Sequence, residues 1–260
     1  MKKILLLCIL LASVMTGVAQ NDWAGKRVGV LGDSMTDPRN KSANYHYYDY
    51  LRDSLGIVPY IFARSGNQWH QIYTYAEKMI EERGDSLDAI LIWAGTNDYM
   101  HSTPMGQFYT ERDTVVNYNG KMVPRKARDF VMADSTFCGR INRVMSLLKH
   151  RYPRQQIVIM TPPHRGLANL AERNVQPHEN IANGQDLYIE DYVHALCRAG
   201  ELWSVPVIDV FSLCGLYPMD DSYNQYINRP ESDRLHPNNE GHIRIGKTIL
   251  GQLRNLPSRF

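Results

Sequence analysis

The sequence predicts one α/β domain built on a parallel sheet with helices over both faces. Three observations carry that prediction. Five short runs rich in Val and Ile alternate with longer segments whose apolar residues recur at helical spacing. The runs are nearly continuous in apolar residues, as expected of strands buried on both faces. Short polar motifs stand just past the carboxyl ends of these runs, where sheets of this kind place their sites.

Taken in order, residues 1–19 stand apart from the rest. Lys2-Lys3 make a short positive region, Ile4 to Ala12 an apolar core, and Gly17-Val18-Ala19 a small-residue end. This is the pattern of a secretory signal peptide cleaved near Ala19, of bacterial type, and it predicts a secreted or periplasmic protein. The apolar core is short for a bilayer span, so no stable membrane insertion is expected after its removal. Cys8 lies too deep in that core to be a lipid-attachment cysteine.

Residues 20–260 then form the single domain. The first strand is Arg27–Leu31, followed by Gly32-Asp33-Ser34 and a helix over Tyr45–Leu55. The second strand is Val58–Ala63, followed by Ser65-Gly66-Asn67 and a helix over Trp69–Glu82. The third is Ala89–Trp93, which runs into Gly95-Thr96-Asn97-Asp98. A helix over Ser135–Tyr152 places Ile141, Val144, Met145 and Leu148 on one face. Ile157–Thr161 is the fourth strand, with Pro162-Pro163 beyond it. A helix over Leu187–Trp203 precedes the fifth strand, Val205–Val210. A last helix from Asn239 carries Ile243, Ile245, Ile249, Leu250 and Leu253.

Two long connections, 99–133 and 164–186, interrupt this alternation. Connections of such length in a compact domain serve as lids or as small added hairpins. In the first, Thr114–Tyr118 and Lys121–Val123 flank Asn119-Gly120, a strong hairpin signal.

Charge and cysteine content remove several classes of function. The full chain has 29 Lys and Arg and 27 Asp and Glu; the leader holds two lysines and no acid, so the remainder is balanced at 27 of each. That offers no whole-chain attraction to nucleic acid or to an anionic membrane. The basic stretch Arg125-Lys126-Ala127-Arg128 reads as a solvated loop face. Cys138, Cys197 and Cys214 remain after the leader, and their spacing suits buried free thiols, with one bridge possible in an oxidising compartment. No zinc-type Cys/His spacing occurs.

The polar motifs supply the parts of an acyl-transfer site. Ser34, at the end of the first strand, is a nucleophile candidate whose N–H can also meet an oxyanion. Alone, Gly-Asp-Ser is a weak tripeptide and a helix N-cap is the better reading of Ser34. His236 is a candidate base, and Asp233, three residues earlier, can reach one imidazole nitrogen across a tight turn while the other faces the serine. Asn97 can donate from its amide, and Gly66 allows backbone and substrate to approach closely. Taken singly, Asn97 is a helix cap and Gly66 a turn residue. Asp37 reads as a first-turn helix acid, and Trp69 as either a wall of the acyl site or a packing residue. His101, His164, Arg165, Asn180 and Tyr188 lie in or beside the long connections and are weaker candidates for a pocket.

The combination changes the weight of each part. Gly32-Asp33-Ser34-Met35-Thr36-Asp37, Ser65-Gly66-Asn67, Gly95-Thr96-Asn97-Asp98 and Asp233-Arg234-Leu235-His236-Pro237 occur in this order. This order resembles the GDSL-type, or SGNH, hydrolases over essentially the whole mature chain, from Lys26 to about Leu253. Met35 replaces the leucine of the family's name. The resemblance implies a three-layer α/β/α sandwich with a five-stranded parallel sheet, a flavodoxin-like arrangement. It implies Ser34 as nucleophile, His236 as general base and acid, and Asp233 as its partner. It implies an oxyanion hole formed by the Ser34 N–H, the Gly66 N–H and the Asn97 side chain, and no cofactor or metal. The expected activity is serine esterase chemistry on carboxylic esters, especially short or acetyl groups on carbohydrate, with a small-molecule or glycan ester as partner. Two other readings stand beside it: a lipase or lysophospholipase-like enzyme with an apolar lid around Leu167, Leu170 and Val175, and a non-catalytic carbohydrate-binding protein on the same fold. Transfer of the acyl group to an acceptor hydroxyl is compatible with the same residues.

Overall fold

The structure, a computed structural model, describes residues 22–257; the expected signal segment lies outside the described residues. In chain order the elements begin with β1 (Arg27–Gly32), α1 (Tyr47–Leu55), β2 (Val58–Ala63), α2 (Trp69–Arg83), β3 (Ala89–Trp93) and α3 (Thr96–Met100). The middle of the chain holds β4 (Tyr109–Tyr118), β5 (Lys121–Phe130), α4 (Phe137–Arg151), β6 (Gln156–Met160), β7 (Ala168–Ala171) and β8 (Asn174–Gln176). The last third holds α5 (Ile189–Trp203), β9 (Val207–Ile208), α6 (Val210–Leu213), a 3₁₀ turn (Asp221–Tyr226), β10 (Ile227–Arg229), β11 (Asp233–Pro237) and α7 (Asn239–Asn255).

Side-chain alternation along the central strands creates the three layers. Leu31, Ile90, Ile92, Ile157 and Ile159 point into a core shared with α2, α4 and α5. Val28, Val30, Leu91, Val158 and Met160 point into a second core shared with α1 and α7. Each such side chain removed from water contributes about 1.5–3 kcal/mol, so the strands are held from both sides. The sheet is five-stranded and parallel, in the order β2-β1-β3-β6-β9. The sandwich and the strand count are those expected from the sequence, and the order reverses beside β1, which places a crevice at the carboxyl ends of β1 and β3.

The fifth strand is shorter than its apolar run. Only Val207–Ile208 pair with β6. The chain leaves the sheet at Asp209, whose carboxylate accepts from the Ser212 N–H at 3.2 Å and from Thr161 Oγ1 at 3.0 Å, starting α6 instead. Helix starts also fall a residue or two inside the expected bounds, because His46, Thr136 and Tyr188 sit in extended backbone as caps. Cys138, Cys197 and Cys214 are free thiols.

The two long connections differ. The first contains a hairpin of ten paired residues per strand, twice the expected reach in β4 and more than three times that in β5, closed by Asn119 (φ 52°) and Gly120 (φ 78°). Two successive positive φ values make the turn whose twist matches paired strands. The second connection is not a free loop. It contributes β7 and β8 to a four-stranded sheet in the order β10-β11-β7-β8.

Candidate active site

The chain turns sharply after β1. The N–H groups of Thr36 and Asp37 both donate to the Asp33 carbonyl, at 3.1 and 2.9 Å. No helix follows until Tyr47, so Ser34 is not a helix cap and Asp37 is not a first-turn helix acid. Asp37 instead binds the next loop: it accepts from the Ser65 N–H at 2.8 Å, Ser65 Oγ at 3.0 Å and Arg39 Nε at 2.8 Å. Burial alone would raise the Asp37 carboxyl, but the hydrogen bonds from Arg39 and Ser65 outweigh it and hold the group below its ordinary value.

That loop carries Gly66, with φ +88° and open space where a Cβ would stand. The left-handed backbone favours glycine there and leaves the region beside its N–H open. Neither the Ser34 nor the Gly66 N–H donates to another group among the described residues. Both residues line the same cleft.

The third motif is braced from behind. Asn97, in α3, donates its amide to the Asn67 carbonyl at 3.0 Å and makes a long 3.4 Å contact with Asp33. Asn67 in turn donates to the Gly32 carbonyl at 2.9 Å. Asp98 turns away from the cleft, accepting from the Trp69 N–H at 3.0 Å and from Arg140 at 2.9 Å. Burial pushes Asp98 up to about 7, with the Trp69 N–H and Arg140 opposing it, and pushes Asp33 up to about 6. Trp69 is fully buried, with its indole N–H on the Ala94 carbonyl at 3.2 Å, so it packs the core and walls no acyl site.

The last motif approaches from the opposite side. Residues 233–237 are not an isolated tight turn; they are the short strand β11, paired to β7 through Asp233 and Ala168. Asp233 still curls back onto its own segment, accepting from the N–H groups of Leu235 and His236, each at 3.2 Å. Its carboxylate lies 2.9 and 3.1 Å from His236 Nδ1. His236 Nε2 lies 3.0 Å from Ser34 Oγ. With Nδ1–H donating to the carboxylate, Nε2 is left to accept the Ser34 O–H. Burial pushes Asp233 upward, but its hydrogen bond to His236 and the histidine charge outweigh that and hold it ionised below the ordinary range.

Ser34, Gly66, Asn97, Asp233 and His236 thus converge on one cleft of about 860 Å³. Of the weaker candidates, His101 lines the cleft. Arg165 is buried behind it, bonded to Thr96 Oγ1 at 3.1 Å and Gln176 Oε1 at 2.8 Å. His164 pairs with Glu179 at 2.7 Å, and Asn180 and Tyr188 are exposed elsewhere. Of the residues proposed for an apolar lid, Leu170 lines the cleft. Sequence reasoning missed Asp33 and Asn67 as supports of Asn97, and Gln176 and Arg229 as walls. The first two stood inside quoted motifs; the two walls carried no sequence signal.

No curated protein matches the sequence. Among solved structures, a protein from Lactobacillus plantarum aligns with a TM-score of 0.68 at 22% identity, over 88% of this chain and 97% of its own. A possible lipase from Chitinophaga pinensis aligns at 0.64 and 18%, over 88% and 98%. An acetylxylan esterase from Geobacillus stearothermophilus, in a catalytic mutant form, aligns at 0.53 and 17%, over 90% and 96%. At these identities the likeness is one of fold. The model of the GDSL-like lipase/acylhydrolase family matches residues 30–244, which spans every motif described above, and the chain belongs to that family.

Proposed function

We propose that the protein is a serine esterase that removes short acyl groups, acetyl above all, from carbohydrate. The observation that carries this reading is the relay from Ser34 Oγ to His236 Nε2 at 3.0 Å and from Nδ1 to Asp233 at 2.9 Å, at the base of an open cleft. In the first stage His236 takes the Ser34 proton as Oγ attacks the ester carbonyl carbon. The oxyanion is met by the Ser34 and Gly66 N–H groups and the Asn97 amide. His236 then gives its proton to the leaving alkoxide as the carbon–oxygen bond breaks. In the second stage His236 takes a proton from water, hydroxide adds to the acyl-serine, and Ser34 recovers its proton as the acid leaves.

The cleft's walls favour a sugar over a lipid. Asn40, Ser42, Asn174, Gln176 and Asn228 line it, against Leu170 and Leu235. Leu167 and Val175, the other two residues of a conceivable apolar lid, are exposed and do not line it. The neighbouring acetylxylan esterase fold agrees with this choice of substrate. Export follows from the leader pattern, and no helix among the described residues is long and apolar enough to cross a membrane. The mature protein is expected to begin at Gln20 when recovered from outside the cytoplasm, as read by N-terminal sequencing.

The test is hydrolysis of p-nitrophenyl esters from acetate to palmitate, beside Ser34→Ala. Activity that falls beyond butyrate and is lost in the variant is the expected result. Activity rising with chain length moves the reading to lipids, and an unchanged Ser34→Ala variant ends it.

A further inference from the structure

Charge is not distributed evenly around the cleft. Three cations from three separate segments line it: Lys41 from the connection after β1, Arg173 from the β7–β8 turn, and Arg229 from the end of β10. The one carboxylate that lines it is Asp233, already bound to His236. Among the described residues, Lys41 and Arg173 make no ion pair and no side-chain hydrogen bond, and both are exposed. Arg229 is also exposed, with one 3.7 Å contact to Asp233. Glu172 and Glu231 neighbour Arg173 and Arg229 in sequence, yet neither lines the cleft.

This imbalance contrasts with residues 20–260 as a whole, where acids and bases are equal in number, and with surfaces on which cations are paired. On the hairpin alone, Arg112, Lys126 and Arg128 are paired with Asp129, Asp113 and Glu111. An excess of cations held around a concave site focuses its field and raises the local concentration of anions. Arginine adds a planar fork that matches carboxylate or sulfate oxygens.

We infer that the cleft selects acylated glycans that carry anionic groups, carboxylate or sulfate, on sugars neighbouring the esterified one. This rests on the esterase reading and narrows its substrate. An anionic chain would lie across Ser34 with its charges on Lys41, Arg173 and Arg229, and its ester carbonyl at the serine. The amides of Asn174, Gln176 and Asn228 would meet the sugar hydroxyls.

The test compares three acetylated oligosaccharides of equal length: a galacturonate, a sulfated galactan and a neutral xylan. At low salt, kcat/KM on at least one anionic oligomer is expected to exceed that on the neutral one by about tenfold or more. The difference is expected in KM rather than kcat. It is expected to shrink as ionic strength rises from about 0.01 to 1 M, since the screening length falls from about 30 to 3 Å. Lys41→Gln and Arg173→Gln are expected to raise KM for the preferred anionic oligomer. Preference for the galacturonate or for the sulfated chain tells the two sources of charge apart, and either supports the inference. Equal kcat/KM on neutral and anionic chains overturns it and leaves the esterase reading standing, as does a salt-independent preference. Faster turnover of an anionic lysophospholipid than of every glycan overturns it in favour of lipid. Calorimetric titration of the unacylated oligomers into the protein reads charge selection without turnover. Absence of ester hydrolysis combined with anion-selective binding defeats the esterase reading alone, and equal binding of all three oligomers defeats the inference.

Discussion

The two long connections look alike in sequence and do different things in the fold. Each is polar, each carries turn residues, and each stands between a central strand and a helix on the same face of the sheet. Residues 168–176 dock against β11, the strand that carries Asp233 and His236, and supply Leu170, Arg173, Asn174 and Gln176 to the cleft. Residues 109–130 pair with themselves and contribute nothing to the cleft lining. The hairpin is fastened at its base, where Asn142 donates to the Phe108 and Val131 carbonyls at 2.7 and 2.8 Å and Phe130 stacks on Trp203. Beyond that base Val115, Tyr118 and Met122 are exposed. The lesson is that an insertion shapes a site when its backbone finds an open strand edge next to that site. Its length and polarity do not decide the matter.

The largest effect expected from this contrast is at β11 itself. Replacing His236 or Asp233 by Ala is expected to cost on the order of 10⁴–10⁶ in kcat, measured on p-nitrophenyl acetate. Next is the opposite wall, where Asn97→Ala is expected to cost about 10²–10³ in kcat with little change in KM. Replacing residues 169–175 by a short turn is expected to cost up to about 10²-fold in kcat/KM, because the cleft loses the wall made by Leu170, Arg173 and Asn174 and small displacements of a bound substrate are costly. A smaller effect is expected at the loop carrying Gly66. Asp37→Asn is expected to lower Tm at neutral pH by weakening the grip on Ser65. The sign follows from the depressed carboxyl: its contribution is present above the ordinary carboxylate range and is lost as pH falls through its lower folded value. The Tm difference between Asp37→Asn and the parent is therefore expected to vanish in acid, as read by thermal scans. The smallest effect is expected from replacing residues 110–129 by a two-residue turn, with turnover of p-nitrophenyl acetate kept within about twofold because the hairpin lines no part of the cleft. A large loss there, with the fold intact by circular dichroism, would erase the contrast between the two connections.

Several parts of the site were legible because they are local. Ser34, Gly66 and Asn97 each follow a strand of the parallel sheet, and the carboxyl ends of parallel strands lie at one edge of the sheet whatever the rest of the chain does. Asp233 and His236 are three residues apart, so their contact is settled within one segment. What was misread depended on distant partners. Asp37 looked like a helix acid because the sequence shows Ser34 and a later helix, and not the Ser65 loop arriving beside them. Trp69 looked like a possible wall because nothing near it in sequence reveals that Ala94 accepts its indole N–H. The run Val205–Val210 looked like a full strand, yet Asp209 and Thr161 draw its end into a turn.

By itself, then, the sequence determined the layers, the parallel sheet and the four polar residues and one glycine that meet at its edge. Apolar periodicity and strand-end position are properties of single segments, and they leave little choice of arrangement. Only the tertiary structure decided which connection walls the cleft, how Asn67, Asp33 and Asp37 brace the motifs, and where the three cations gather. Those outcomes depend on which backbone edges and buried polar groups find partners across long stretches of chain, and a linear pattern does not specify such pairings.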